Sequence, residues 1–274
     1  MKQYEFHNLD INERGDPSFL PPEALYIIQE NGVGTPIEDL IDGYQTLNVS
    51  GRELVGYSLK TEDVTGSDGA MFLSANYPTR EIEVTYFLQA KTDEEFRAKY
   101  QLLNYYLSGK QFKFYFYDDT QYFWTGTVTA ADKPDPGLNQ AKSTFTITCS
   151  NPFKRLIEPV TYKGTGSVRI AEPVYYGTAP DLIQIALASS ASAISVTNSR
   201  QTISLTGTFV AGDVVKIEPS TDEEQQSMIY LNDKQALNLL DLTSDFENFA
   251  VKQGDVVTVT PSADLMLKLR RREL

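Results

Sequence analysis

The stretch GSDGAMFLSANYPTREIEVTYFLQA, Gly66–Ala90, decides how the chain is read. Its second half alternates. Ile82, Val84, Tyr86 and Leu88 share one side of an extended backbone, and Glu81, Glu83, Thr85 and Gln89 share the other. Successive strand side chains point to opposite faces, so this is a strand with one face in a core and one in water, as in a mainly antiparallel sheet. The first half is punctuated by Gly66 and Gly69 yet carries Met71, Phe72, Leu73 and Tyr77. It reads as a flexible loop whose apolar groups are costly to leave in water.

The neighbouring sequence extends the sheet. LYIIQ (25–29), YSLKTEDV (57–64), QFKFYFYD (111–118), QYFWTGTVTA (121–130) and KSTFTITCS (142–150) are further strands bounded by turn residues. One helix is well marked, over about 92–108. Thr92 and Glu95 have the spacing of a capping box, Phe96, Tyr100, Leu103 and Leu107 form one stripe, and Gly109 stands where a left-handed terminal residue is wanted. Asp118-Asp119 and the loop holding Pro134, Pro136 and Gly137 read as turns rather than metal ligands. After NPFKRLIEPV the aromatics thin out. VTYKG, LIQIAL, AISVTN, QTISLTG, DVVKIEP, SMIYLN, DVVTVTP and LMLKLR then follow as short strands with the spacing of a β-sandwich. The 274 residues therefore divide into an α+β first domain, 1–155, a β-sandwich or barrel-like sheet with one helix, and a β-sandwich, 156–274. The fold class is mainly β.

Charge and composition narrow the function. A net charge of −13 opposes a protein that holds nucleic acid by neutralising phosphates. The basic residues Lys268 to Arg272 read as a strand followed by a solvated end, and Asp222 to Glu224 as a solvated hairpin tip. The single cysteine, Cys149, shares a strand face with Phe145 and Ile147 and reads as a core residue of a protein folded in a reducing compartment. MKQYEFHNLD lacks an apolar signal-peptide segment, and no stretch is long and apolar enough for a membrane helix, so neither export nor membrane anchoring is expected.

Chemistry is hard to find. The single histidine, His7, has no nucleophile motif beside it, GTGSVRI and GVGTP are incomplete glycine loops, and zinc or calcium ligand spacing is missing. Asp241, Asp245 and Glu247 read as caps of a short turn. The expectation is no enzyme, no cofactor and no metal. A sugar-binding sandwich is the more serious alternative, with Tyr175, Tyr176, Phe209, Tyr230, Phe246 and Phe249 as its available aromatics, since Trp124 lies at a core position of the first domain.

Several ordered blocks carry a resemblance: YQTLNVSGRELVGYSL, VTGSDGAMFLSANYPTREIEVTYFL, TDEEFRAKYQLLNYYLSG, YFWTGTV and STFTITCSNPFK, then YYGTAPDLIQI, GDVVKIEP, IYLNDKQALNLLDLTSDFENF and KQGDVVTVT. From about Tyr44 onward the chain resembles the distal tail proteins of long-tailed, non-contractile bacteriophages and prophages. The resemblance implies a hexameric ring built from the first domain and a galectin-like second domain projecting outwards. It implies a hub at the virion tail tip, assembled in the host cytoplasm, that joins the tail tube protein to the tail-associated lysin or baseplate hub protein, passes DNA without binding it specifically, and in many phages holds receptor-binding proteins. In some relatives the last strand, here about 264–272, returns to the first domain. Within such a ring Met71, Phe72, Leu73 and Tyr77 are expected to belt a neighbouring copy, while Glu81 and Glu83 are candidates for the wall of the lumen. A glycan-reading module and a cell-wall hydrolase are the competing functions.

Overall fold

The computed structural model describes residues 20–66, 68–133, 138–219 and 227–274. His7, the Pro134–Gly137 loop and the acidic run 222–224 lie outside them. Two units emerge, one up to Lys154 and one of Arg155–Glu273.

The first unit begins with β1 (Leu25–Ile28), β2 (Gly34–Pro36), the one-turn helix α1 (Ile37–Leu40) and β3 (Tyr44–Ser50). It continues through β4 (Ser58–Asp63), β5 (Ala70–Asn76), β6 (Arg80–Gln89), helix α2 (Asp93–Leu107), β7 (Phe112–Phe116), β8 (Tyr122–Ala131) and β9 (Gln140–Cys149). Hydrogen bonding runs in the order β2-β1-β7-β8-β9-β6-β3, and every pairing is antiparallel. Strand β8 serves both halves, pairing with β7 around Trp124–Gly126 and with β9 from Thr127 onward. Gly126 marks the handover. A Cβ there would stand 2.6 Å from Ile147 Cγ2 and 3.1 Å from Cys149 Sγ, so only glycine lets the halves close on one core.

That core takes Ile82, Val84, Tyr86 and Leu88 from β6, the face picked out by alternation, together with Phe114, Phe116, Trp124, Phe145, Ile147 and Cys149. Burial pushes the Cys149 thiol up to about 12, which suits a packing residue rather than a nucleophile. Leu103 of α2 is buried against the same cluster, flanked by half-buried Phe96, Tyr100 and Leu107. The Thr92 hydroxyl accepts from Glu95 N–H at 3.2 Å, while the Glu95 carboxylate reaches back to the Lys91 N–H at 3.0 Å. The other end departs from expectation. Gly109 is not left-handed. Ser108 ends the helix by donating its hydroxyl to the Tyr105 carbonyl at 2.8 Å, and Gly109 instead leaves room for Phe112, whose Cβ would lie 3.2 Å from a side chain there.

Strand β10 (Lys154–Leu156) straddles the division between the units, and the second unit goes on with β11 (Val160–Thr165), β12 (Ser167–Arg169), β13 (Leu182–Ala186), β14 (Ala191–Thr197) and β15 (Thr202–Phe209). After these come β16 (Val214–Glu218), β17 (Met228–Leu231), β18 (Lys234–Gln235), β19 (Val256–Thr260), β20 (Asp264–Leu269) and β21 (Arg272–Glu273). A six-stranded sheet, β11-β20-β13-β16-β17-β18, and a four-stranded sheet, β12-β19-β14-β15, share one core that includes Ile183, Ile217 and Leu267 from the first and Val196, Ile203 and Val257 from the second. This is the expected sandwich.

Within the stretch 264–272 that the resemblance allows to return to the first domain, Asp264–Leu269 lies hydrogen-bonded between β11 and β13, and β21 beyond it pairs with β10. Asp264–Leu269 owes its place to alternation, since Leu265, Leu267 and Leu269 fill the sandwich core. Nor is the basic end merely solvated. The Arg270 and Arg271 guanidiniums donate to the Ile157 and Pro173 carbonyls. Asp245 also departs from a local cap, its carboxylate accepting the Thr202 N–H at 2.9 Å across 43 residues. Asp241 keeps the local role, accepting from the Thr243 N–H at 3.0 Å.

Candidate self-association surface

The segment read as a loop is one limb of a hairpin. Strands β4 and β5 form a two-stranded sheet of their own, turned through Gly66 and Gly69, both left-handed. With neither outer edge paired to a further strand among the described residues, the hairpin is an arm.

Its root is rigidly fixed. Arg80, the first residue of β6, is 2% exposed and donates to three main-chain carbonyls, Nε to Pro152 at 3.0 Å and one terminal nitrogen to Gly51 at 2.8 Å and Glu53 at 3.1 Å, while its other terminal nitrogen is buried without a partner among the described residues. Burial lowers its pKa without threatening its charge. Gly51 is left-handed and so close to β6 that a Cβ would stand 2.0 Å from the Glu81 carbonyl oxygen. Arg52 pairs with Glu23 at 2.9 Å and Asp118 at 2.7 Å and lies 4.6 Å from the Phe116 ring centroid. Tyr77 belongs to this root. It stacks on Tyr57 at 4.2 Å and meets Phe153 edge-on at 5.7 Å, so it anchors the arm where the two limbs leave the body.

From its root to its tip the arm exposes apolar groups at a density found nowhere else among the described residues. Leu54 is 95% exposed, Leu59 and Phe72 are each 62% exposed, and Tyr57, Val64, Met71 and Leu73 are also exposed. The pairing sorts them by face. Leu59 lies opposite Ala75 and Thr61 opposite Phe72, with a bulge that leaves Leu73 as the extra residue. Cross-strand partners share a face, so the bulge returns Phe72 to the side of Leu59 and Ala75. Met71, Phe72 and Leu73 were singled out from sequence. Leu54, Leu59 and Val64 of the opposite limb were not, because alternation in YSLKTEDV announces a strand without saying that neither face is covered.

Helix α2 carries a second exposed apolar strip. Leu102 is 43% and Tyr105 73% exposed, and Ala98 lies one turn before Leu102 on the same side. Glu81 and Glu83 stand on the outward face of β6, opposite Thr148 and Thr146 of β9. Thr85 meets Thr144 there at 3.1 Å, and Thr129 of β8 meets Thr148 at 2.6 Å, making a hydroxyl-rich wall around the two carboxylates. The sheet edge beyond is closed by side chains: Glu38 accepts the Thr46 N–H at 2.8 Å and Glu23 the Val49 N–H at 2.9 Å. Glu38 is mostly buried, which raises its pKa.

Two family models match in register with this architecture: the phage tail protein RIFT-related domain over residues 37–159, and the C-terminal domain of the siphovirus-type tail component over 176–272. The chain belongs to the distal tail protein family. Among solved structures similar to it is the Dit protein of phage SPP1, described as a paradigm of the hub adsorption apparatus in phages infecting Gram-positive hosts. It is 18% identical, with 92% of this chain and 99% of that chain covered and a TM-score of 0.71. The phage P2 baseplate in its activated conformation with Ca is similar at 12% identity, 92% and 98% coverage and a TM-score of 0.52. The same baseplate with Sr gives 12%, 92%, 98% and 0.51. No curated protein sequence matches the chain. Family membership makes this a tail hub or baseplate component, a virion structural protein that works among other tail proteins.

Proposed function

We propose that six copies close into a ring at the tail tip, with the arm of each belted onto the next, and that the ring joins the tail tube protein to the tail-associated lysin or baseplate hub protein without catalysing a reaction. The observation that carries this reading is the arm. Its greasy side chains are too many and too contiguous to suit a protein working alone, while its root is locked by Arg80, Gly51 and the Tyr77 stack. Rotational closure lets each copy bury its neighbour's arm with no arm left over.

In this ring the wall bearing Glu81 and Glu83 faces the lumen. Carboxylates among threonine hydroxyls repel phosphate, so passing DNA does not adhere. The second unit projects outwards and holds receptor-binding proteins. Assembly takes place in the host cytoplasm.

Light scattering on the full chain tests the ring. A six-copy mass is expected, and removal of Gly66–Ala75 is expected to give monomers whose Trp124 fluorescence is unchanged. A deletion variant that still forms the full assembly sinks the belt, and a wild-type chain that stays monomeric at high concentration sinks the ring. Lysine at both 81 and 83 is expected to make assembled rings retain DNA in a gel shift. Rings that ignore DNA despite four units of added positive charge per copy, two carboxylates lost and two ammoniums gained, refute the lumen assignment.

A further inference from the structure

The arm has edges as well as faces, and the edge along β4 is complementary to itself. We propose that the β4 edge pairs antiparallel with the β4 edge of a second copy, two-fold about Thr61, so that two hairpins join into one four-stranded sheet. The contact covers an edge and leaves the Leu59–Phe72 face free. It therefore adds to the ring contact and does not depend on it.

The chain closes other edges with its own residues. On β3 the amides of Thr46 and Val49 are taken by Glu38 and Glu23, and β2 ends in Pro36. On β15 the Thr202 N–H donates to Asp245 at 2.9 Å and the Ser204 N–H to the Ser244 hydroxyl at 2.8 Å. The β5 limb of the arm carries the bulge at Leu73, a device that blunts an edge. The β4 limb has no such guard. Ser58–Asp63 contains neither glycine nor proline and is exposed at every residue. A two-stranded hairpin is marginal by itself in water, and two further strands relieve that weakness.

Charge chooses the partner and the register. In a two-fold antiparallel pair the opposed residues share a face, so they are both odd or both even in number. Centred on Thr61, Lys60 stands opposite Glu62 of the second copy and Glu62 opposite its Lys60. Both pairs lie on the face away from Phe72, since Phe72 is the cross-strand partner of Thr61. The next two-fold registers to either side centre on Lys60 or on Glu62, and each sets like charges against each other. Among the described residues neither Lys60 nor Glu62 forms an ion pair within its own chain, so both are available.

Disulfide trapping on the full chain tests the pairing. Thr61→Cys puts thiols on opposed residues whose Cα atoms lie about 5 Å apart, within disulfide reach, so a covalent dimer is expected on non-reducing gels under oxidised glutathione. Ser58→Cys puts them about 20 Å apart along the strands and is expected to stay uncoupled, as Cys149 is fully buried. A Thr61→Cys chain that stays uncoupled, as it would if the strand of a different protein took this edge, overturns the pairing. So does a Ser58→Cys chain that couples equally well. A charge exchange gives an independent reading. In the Thr61→Cys background, Lys60→Glu and Glu62→Lys should each slow dimer formation about 10-fold, and the two together should restore it. Single variants that couple at the parent rate, or a double variant no faster than the singles, overturn the register. A six-copy mass by light scattering with no covalent dimer removes the pairing and leaves the ring, whereas a covalent dimer from a chain that assembles no further upholds the pairing and removes the ring.

Discussion

Strands β5 and β6 are separated only by Tyr77–Thr79, yet they meet opposite fates. In β6 each apolar residue of the alternation is buried and each carboxylate is exposed, so the strand stabilises its own unit. In β5 Met71, Phe72 and Leu73 stand in water, contributing almost nothing to the fold of the chain that carries them. Hydrophobic residues in a strand thus announce burial somewhere, and the partner that buries them can be a second molecule. The residue between the two regimes is Arg80, which knits the end of the arm to the body through three main-chain carbonyls.

The difference is measurable. Denaturant unfolding followed through Trp124, buried in the first unit, should separate the two strands cleanly. Ile82→Ala removes a side chain with no exposure and is expected to cost about 2–4 kcal/mol. Arg80→Leu strands buried carbonyls that a hydrocarbon cannot satisfy, and a loss of about 2–3 kcal/mol should follow. If that variant unfolds like wild type, the root of the arm is not fixed as described. Thr92→Ala deletes the cap of α2, for which about 1 kcal/mol is the expected loss. Phe72→Ala should fall within about 0.5 kcal/mol of the parent chain when measured at concentrations too low for association. A cost near that of Ile82→Ala would abolish the contrast between the strands.

Glu38 sharpens the picture through pH. Burial raises its pKa above the ordinary 4.5, so folding disfavours its ionised form relative to the unfolded chain. The stability it supports is complete below the unfolded value and is lost as pH rises through the folded one. Glu38→Gln keeps a carbonyl for the Thr46 N–H and removes the ionisation. The variant should lose the wild-type decline in stability above pH 4.5, and a decline of equal slope in both would assign it to another group.

The alternation of REIEVTYFLQA, the Thr92 cap with its Phe96–Leu107 stripe, and the short strands of the second unit were all legible without coordinates. Each rests on local periodicity or on turn chemistry, and neither needs knowledge of what lies opposite. Tyr77 is the instructive contrast at the site. Sequence grouped it with the exposed arm, but its ring is held between Tyr57 and Phe153, twenty and seventy-six residues away along the chain. Asp245 and Gly109 misled in the same manner. One is bonded across the fold to Thr202, and the other is present for the space that Phe112 occupies.

Sequence by itself determined a mainly β chain of two parts, one long half-buried strand, one capped helix and an acidic surface, because backbone geometry imposes periods that residue types obey directly. Tertiary structure alone decided that β4 and β5 leave the body as an arm, that Glu23 and Glu38 close a sheet edge, and that Leu102 and Tyr105 look outward while Leu103 looks in. Burial depends on which elements happen to pack against a face, a relation among residues far apart in sequence that no single stretch can encode.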